Sequence, residues 1–325
     1  MTEPRRPWKA RAMGVLGAAL GIALIAVIFW RIPFDMAEFK QLLHELPLAG
    51  LVAVALLTAF HCFLTGLKWQ LVTRHTAAGV DLGLGYYLYS TLIALFGHIM
   101  PLQVAVLAGR SLSLRLHGKV PVHRGAVGAV YDQLFDVLIP LLALVSATPF
   151  FAGWLSLWGT ATGTVALIVL AGMTIAWRGE VVLSWLARQA VRWVPRLEDR
   201  VQAVEQGLFS RRTLATLYGY SILRYANLVL RAGLIAWALG LDVSWPAIMY
   251  CNSVVTFSLL ISFVPGALGV MEWGWIGSLQ LFGLSEVDGA HYALVSRILI
   301  VASLLILNGL HAVLYVALRG RQRKS

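Results

Sequence analysis

Six runs of apolar residues, each long enough to cross a bilayer as a helix, constrain this chain more than any other feature. They cover residues 12–30, 48–67, 125–146, 157–177, 213–239 and 290–318; about 20 residues suffice, since a helix rises about 1.5 Å per residue against a hydrocarbon core of about 30 Å. Within lipid every backbone N–H and C=O must find its partner in the protein, and an α-helix achieves this within one segment. The runs therefore read as transmembrane helices. Composition agrees, with 59% hydrophobic and 13% charged residues and a mean hydropathy of +0.77. A water-soluble domain carries roughly twice that charged fraction. The first run follows Arg5, Arg6, Lys9 and Arg11, as a secretory signal would. It is too long for a cleaved apolar core and no A-x-A site follows, so it reads as a retained span.

Two further apolar regions, 85–109 and 246–283, are interrupted in mid-run, the first at Pro101 and the second at Pro265, Gly266 and Gly269. Proline removes a helical donor and clashes with the preceding turn, so each region reads as two half-helices around a non-helical knot. Basic residues concentrate at the N-terminus, at 110–124, at 178–212 and in the tail, whereas the turns at 240–246 and 284–290 carry only acids. One topology puts every basic cluster on the cytoplasmic side, as the positive-inside rule requires. Both termini are then cytoplasmic, and both broken regions are re-entrant hairpins. The expected fold is thus an all-α polytopic membrane protein with about six spans and two re-entrant hairpins, in one transmembrane domain over 1–325. Its halves, about 48–146 and 213–318, are expected to form an inverted repeat, because the span between them turns the second over.

Ionisable groups within hydrocarbon are costly and usually functional. Those in or beside the apolar runs are Asp132, Asp136 and Glu272 against Arg224, Arg231 and Arg297. Asp132 and Asp136 share a helix face, as do Arg224 and Arg231, so pairing across helices is expected. A structural salt bridge and a polar path for a headgroup or proton are both compatible with this pattern. Glu272 follows a helix break, and the N-terminus of the half-helix after Pro265-Gly266 offers free N–H groups to a phosphate or carboxylate. Asn308, like Asn227 and Asn252, is expected to bond across helices.

Between the spans, Arg188, Arg192, Arg196 and Arg200 recur every four residues over 180–208, opposite an apolar face. This reads as an interfacial amphipathic helix bent at Pro195, with arginines at headgroup level. The net charge of +11 thereby finds its explanation in anionic lipid, and no nucleic-acid partner is expected. Gly159 and Gly163 form a packing face, with a homodimer contact as the lesser reading. Cys62 and Cys251 lie inside apolar runs and read as small core residues; no metal site and no cofactor is expected. Motifs for nucleotide hydrolysis, zinc proteolysis or a serine nucleophile do not occur.

Val264-Pro265-Gly266-Ala267-Leu268-Gly269-Val270-Met271-Glu272 resembles the proline-glycine-glycine-leucine-glycine-x-x-glutamate signature of the lysylphosphatidylglycerol synthase transmembrane, flippase-like family. Gly66-Leu67-Lys68-Trp69-Gln70-Leu71 is similar to that family's basic-tryptophan motif at the end of an early span, which implies Lys68 and Trp69 at headgroup level. Asp132 to Asp136 resembles its acid-arginine-x-x-aspartate element, with Gln133 in place of the arginine. Gly240-Leu241 and Arg297 fall where the family has a glycine and an arginine. The resemblance covers about 50–318. The family's first break usually reads asparagine-x-x-(leucine)-proline-x-arginine-x-glycine-glutamate. In His98 to Val106 only the proline, Pro101, matches, so a smaller charged network is expected there.

The resemblance implies an inner-membrane protein that moves or handles a modified lipid such as a glycolipid, an aminoacyl-phospholipid or a hopanoid-type lipid. Some relatives carry a soluble aminoacyl-transferase domain; none is found in this sequence, so lysyl-lipid synthesis is not expected of it. The alternative is a non-catalytic or transferase subunit of a lipid, glycolipid or hopanoid pathway, with Asp132 and Asp136 as acid and base. Expected partners are anionic membrane lipids, with a second copy or a pathway enzyme also compatible.

Overall fold

The computed structural model describes residues 7–33, 35–76, 80, 82–96, 102–193, 209–261 and 264–322. Every regular element among them is helical. The order is α1 (Pro7–Arg31), α2 (Met36–Glu45), α3 (Leu48–Thr76), α4 (Gly83–Phe96), α5 (Leu102–Gly118), α6 (Val122–Ser146), α7 (Thr148–Phe151) and α8 (Leu157–Trp193), then α9 (Arg211–Ala238), α10 (Trp245–Ile261), a 3-10 turn (Pro265–Ala267), α11 (Val270–Gln280) and α12 (Glu286–Gln322). Four helical stretches among the described residues are long and apolar enough to cross a membrane: Leu48–Thr76, Arg124–Phe151, Leu157–Val181 and Glu286–His311. A fifth arises if Val15–Arg31 is joined to α2, from which it is bent by 100°. The chain is a helical membrane protein. Against the six spans expected, α9 is long enough at 28 residues but does not pass on apolarity; Arg211, Arg212, Arg224 and Arg231 all lie on it.

Boundaries follow local chemistry. Pro33 lies just past α1, where a residue without an N–H cannot extend the helix. The segment that reads in sequence as the loop 31–47 contains α2. Asp35 caps it, accepting a 2.7 Å hydrogen bond from Ala37 N, and Phe39 is buried from its inner face. Ser244 caps α10 through the N–H of Ala247. The expected interfacial helix at 180–208 is described only in its first part. A kink with non-helical φ/ψ at Arg178 divides α8 into two helices, the second of which starts near the expected position and is described to Trp193; 194–208 lie outside the described residues. Asn308 bonds not across helices but to Leu304 O of its own helix, at 2.8 Å.

The chain divides into two compact units. One comprises Met1–His61, Thr91–Val106 and Leu228–Ser325; the other comprises Cys62–Ser90 and Leu107–Asn227. In the first unit the region broken at 262–269 is a helical hairpin. Near its base the Tyr250 and Phe282 rings stack at 6.5 Å, and farther up Gly274 packs against Val255, so α10 and α11 run antiparallel. α12 returns antiparallel to α11, with Gly289 against Ile276 and the Trp275 and Tyr292 rings 4.7 Å apart. At 11 residues, α11 is about 16 Å long, half the thickness of a hydrocarbon core.

In the second unit, α4 and α5 also run antiparallel at the ends remote from their break. Tyr86 and Ser113 share a 2.7 Å hydrogen bond, and Gly118 packs against Val80 and Leu82. Pro101 lies outside the described residues. The rest of this unit packs α6 against α3 through Gly128, which meets Thr76, Val72 and Trp69. α8 packs against α9 through Gly172 on Tyr218, whose hydroxyl donates to Ile168 O at 2.7 Å.

Candidate functional site

In the first unit the site is the break itself. Gly266 and Gly269 have φ of 61° and 78°, values that an L side chain adopts only with strain. Gly269 is also pressed on Leu24 of α1, so a Cβ there would collide with it. Gly269 is the N-cap of α11, and Glu272 at N3 turns back to accept a 2.7 Å hydrogen bond from its N–H. The other Glu272 oxygen pairs with Arg297 of α12. Arg297 reaches on to the carbonyls of Gly266 and Ala267, at 3.3 Å each. Glu272 is fully buried and Arg297 half-buried. One carboxylate and one guanidinium thus satisfy groups in the 3-10 turn and just after it, groups that a helix break leaves without partners. The half-helix N-terminus expected to receive a phosphate already holds a carboxylate from its own first turn. α1 closes over the same point: Trp273 Nε1 donates to Leu24 O at 3.1 Å.

In the second unit five charged side chains from four helices converge. Asp132 and Asp136 project from α6, Lys68 from α3, Arg110 from α5 and Arg224 from α9. Lys68 Nζ lies 2.7 Å from Asp136 Oδ1 and also donates to the Asp132 carbonyl. Arg224 pairs with Asp136 Oδ2, and Arg110 pairs with Asp132 Oδ2. The Arg110 guanidinium lies over the Trp69 ring, 4.9 Å from its centre, in cation–π geometry. Pro140 sits inside α6; having no N–H, it leaves the carbonyl of Asp136, one turn earlier, without its helical donor.

Burial is graded across the cluster. The side chains of Lys68, Asp132 and Arg110 are 0%, 1% and 4% exposed, whereas Arg224 and Asp136 reach 16% and 20%. The cluster is therefore least enclosed at the Arg224–Asp136 pair.

Lys68 and Trp69, expected at headgroup level, are both enclosed by protein at 0% exposure. The carboxylates of α6 draw the lysine inward, because a charge that leaves water needs a partner of opposite sign. Arg224 and Arg231, which share a face of α9, serve different contacts: Arg224 joins the cluster just described, and Arg231 donates to Thr58 Oγ1 in the first unit at 3.4 Å. Arg110 reads in sequence as a loop charge beside the 110–124 group. It is buried in α5, seven residues beyond Gln103, where the family pattern has its arginine. The side chains of Arg188 and Arg192, and residues Arg196 and Arg200, lie outside what the structure describes. So does the Pro265 side chain, although its backbone is part of the 3-10 turn.

No curated protein and no solved structure matches the chain. A family model does, over residues 18–307, a range that holds both broken hairpins, both ion clusters and the signature segment. The chain belongs to the family described as the lysylphosphatidylglycerol synthase TM region.

Proposed function

We propose that this protein moves a polar lipid headgroup across the inner membrane while the acyl chains stay in lipid. The observation that supports this is a buried ion cluster in each unit, one at the break before α11 and one joining α3, α5, α6 and α9. A charged side chain at the centre of a membrane helix costs roughly 2.5–3.5 kcal/mol on insertion scales, so such groups are kept where a polar substrate has to pass. Broken helices inside a bundle are likewise the usual place for substrate contacts in transporters.

In this reading the hairpins enter from opposite faces, the halves 48–146 and 213–318 are an inverted repeat, and both termini are cytoplasmic. Glu272, Arg297, Gly266, Gly269 and Pro265 form the movable element of the first unit. Asp132, Asp136 and Arg224 form the polar path of the second, with a carboxylate as the group that loads a proton. Arg231 offers a second cation on α9, and the arginines of 188–200 gather anionic lipid at the entrance.

The test is translocation of a fluorescent lipid in reconstituted vesicles, read by a quencher that cannot cross. Wild-type protein makes inner-leaflet lipid accessible above the rate of empty vesicles, and Glu272→Gln, inserted to the same level, loses most of that gain. Wild-type vesicles no faster than empty ones, together with a strain lacking the protein that fails to make a lipid rather than misplacing it, would sink the transport reading in favour of a synthetic role.

A further inference from the structure

No charged residue and no histidine occurs between Asp136 and Arg178, although this stretch includes the turn that joins α6, α7 and α8 in the second unit. A turn in water is ordinarily polar. Here Trp154 and Trp158 are 76% and 62% exposed, and Phe151 and Leu155 are each more than half exposed. Apolar surface gathered in this way marks contact with a partner or a membrane. The backbone of the turn is closed on itself. Gly153, with φ of 74°, ends α7 in a Schellman arrangement, its N–H donating to Phe150 O at 3.0 Å and that of Trp154 to Pro149 O at 2.9 Å. Every N–H from Phe150 to Leu155 has an acceptor within the turn. Ser156 then caps α8, its hydroxyl accepting from Gly159 N at 3.1 Å. Away from water a backbone group has to find its partner in the protein, and this turn is built to do so.

α8 supplies the depth. Nineteen residues of helix carry the chain from Trp158 to Trp177, about 28 Å of rise against a hydrocarbon core of about 30 Å. Trp177 is exposed, and the Arg178 guanidinium lies over its ring, 4.8 Å from the centre. Tryptophans at both ends of one span mark the two interfaces of a bilayer, and basic residues mark the cytoplasmic one. Arg124 and Arg178 stand at the ends of α6 and α8 remote from the turn, which puts the charge-free end outward.

We propose that the turn 147–158 is seated in the outer leaflet, with Trp154 and Trp158 at the level of the glycerol and upper acyl chains, so that its apolar surface docks lipid. The occupant follows from continuity: the turn extends the outward faces of the two spans it joins, where Val145 and Val165 are exposed as well. The inference goes beyond the transport reading and stands without it.

The experiment labels Trp154→Cys in the full chain with a thiol-reactive nitrobenzoxadiazole and reconstitutes it in phosphatidylcholine vesicles. Lys119→Cys, at an exposed position between α5 and α6, is the comparison in water. Wild-type protein, whose Cys62 and Cys251 are buried, gives the background labelling. Two quenchers are read, iodide in the buffer and a nitroxide carried on a lipid acyl chain. The label at 154 is expected to be quenched at least about tenfold less by iodide than the label at 119, since a hydrated anion is excluded from hydrocarbon, and more strongly by the nitroxide.

Equal iodide quenching at the two positions places the turn in water and overturns the proposal. Protection of the label at 154 from both quenchers overturns it too, and a doubled mass by light scattering in detergent would then assign the face to a second copy of the chain. If Trp154→Cys does not reconstitute, Leu155→Cys, labelled in the same way, decides by the same ranking. Translocation, present or absent, enters neither outcome.

Discussion

Lys68 Nζ, with no solvent exposure, lies 2.7 Å from Asp136 Oδ1, while Arg224 holds the other oxygen of the same carboxylate. Asp136 is therefore the only link between two cations among the described ion pairs of this unit, and its removal is felt at both. Replacing it by Ala is expected to destabilise by about 3–5 kcal/mol, the usual cost of orphaning a buried charge. Lys68→Met combined with Asp136→Leu should recover more than half of that loss, since apolar side chains of similar volume carry no unpaired ion. Thermal unfolding in detergent checks this: a double variant no more stable than Asp136→Ala would refute the pairing.

The second hairpin depends on a backbone that only glycine tolerates. Gly269→Ala combines a φ of 78° with a Cβ driven into Leu24, and is expected to cost at least about 2 kcal/mol. Leu24→Gly in the same chain removes the Cβ that would be struck but leaves the backbone strain of about 1 kcal/mol. A double-mutant cycle measures the coupling; a coupling of zero would mean that α1 does not press on the break.

Arg297→Lys keeps the charge but loses the fork that spans Glu272 and the two carbonyls of the 3-10 turn. An ammonium cannot hold all three acceptors in that geometry. Hydrogen exchange of residues 266–272 should speed up by about tenfold or more, equivalent to about 1.4 kcal/mol, with the rest of the first unit unchanged. Unaltered protection there would show that the turn is held by something else.

Asp35→Ala removes the cap of α2 and should cost about 1 kcal/mol locally. Phe39, whose ring stacks on His291 at 5.9 Å, keeps the helix docked, so Asp35→Ala with Phe39→Ala should free it. Protease cleavage within 36–45 is the readout, expected only in the double variant.

The family signature was readable because it is local: the prolines and glycines of 264–272 must break a helix wherever they occur, and Glu272 at the third position of the next helix can reach back to its own N-cap. Asp132 and Asp136 were legible for the same reason, since four residues apart on a helix means one face. Their partners were not. Lys68 is 64 residues from Asp132 and Arg110 is 22 away, and along the chain each resembles an ordinary charge at the end of a span. The same blindness gave α2 the appearance of a loop, because its short apolar face matters only once Phe39 has something to pack on.

By itself the amino-acid order determined that this chain is a helical membrane protein, where its helices break, and to which family it belongs. These follow from hydropathy, from the missing N–H of proline and from the conformational freedom of glycine, all of which act within a few residues. Only the tertiary structure decided which ions meet and that Lys68 and Trp69 are enclosed. Those depend on helices distant in sequence coming within about 3 Å of one another through their side chains, and Coulomb energy is set by that distance and by the exclusion of water.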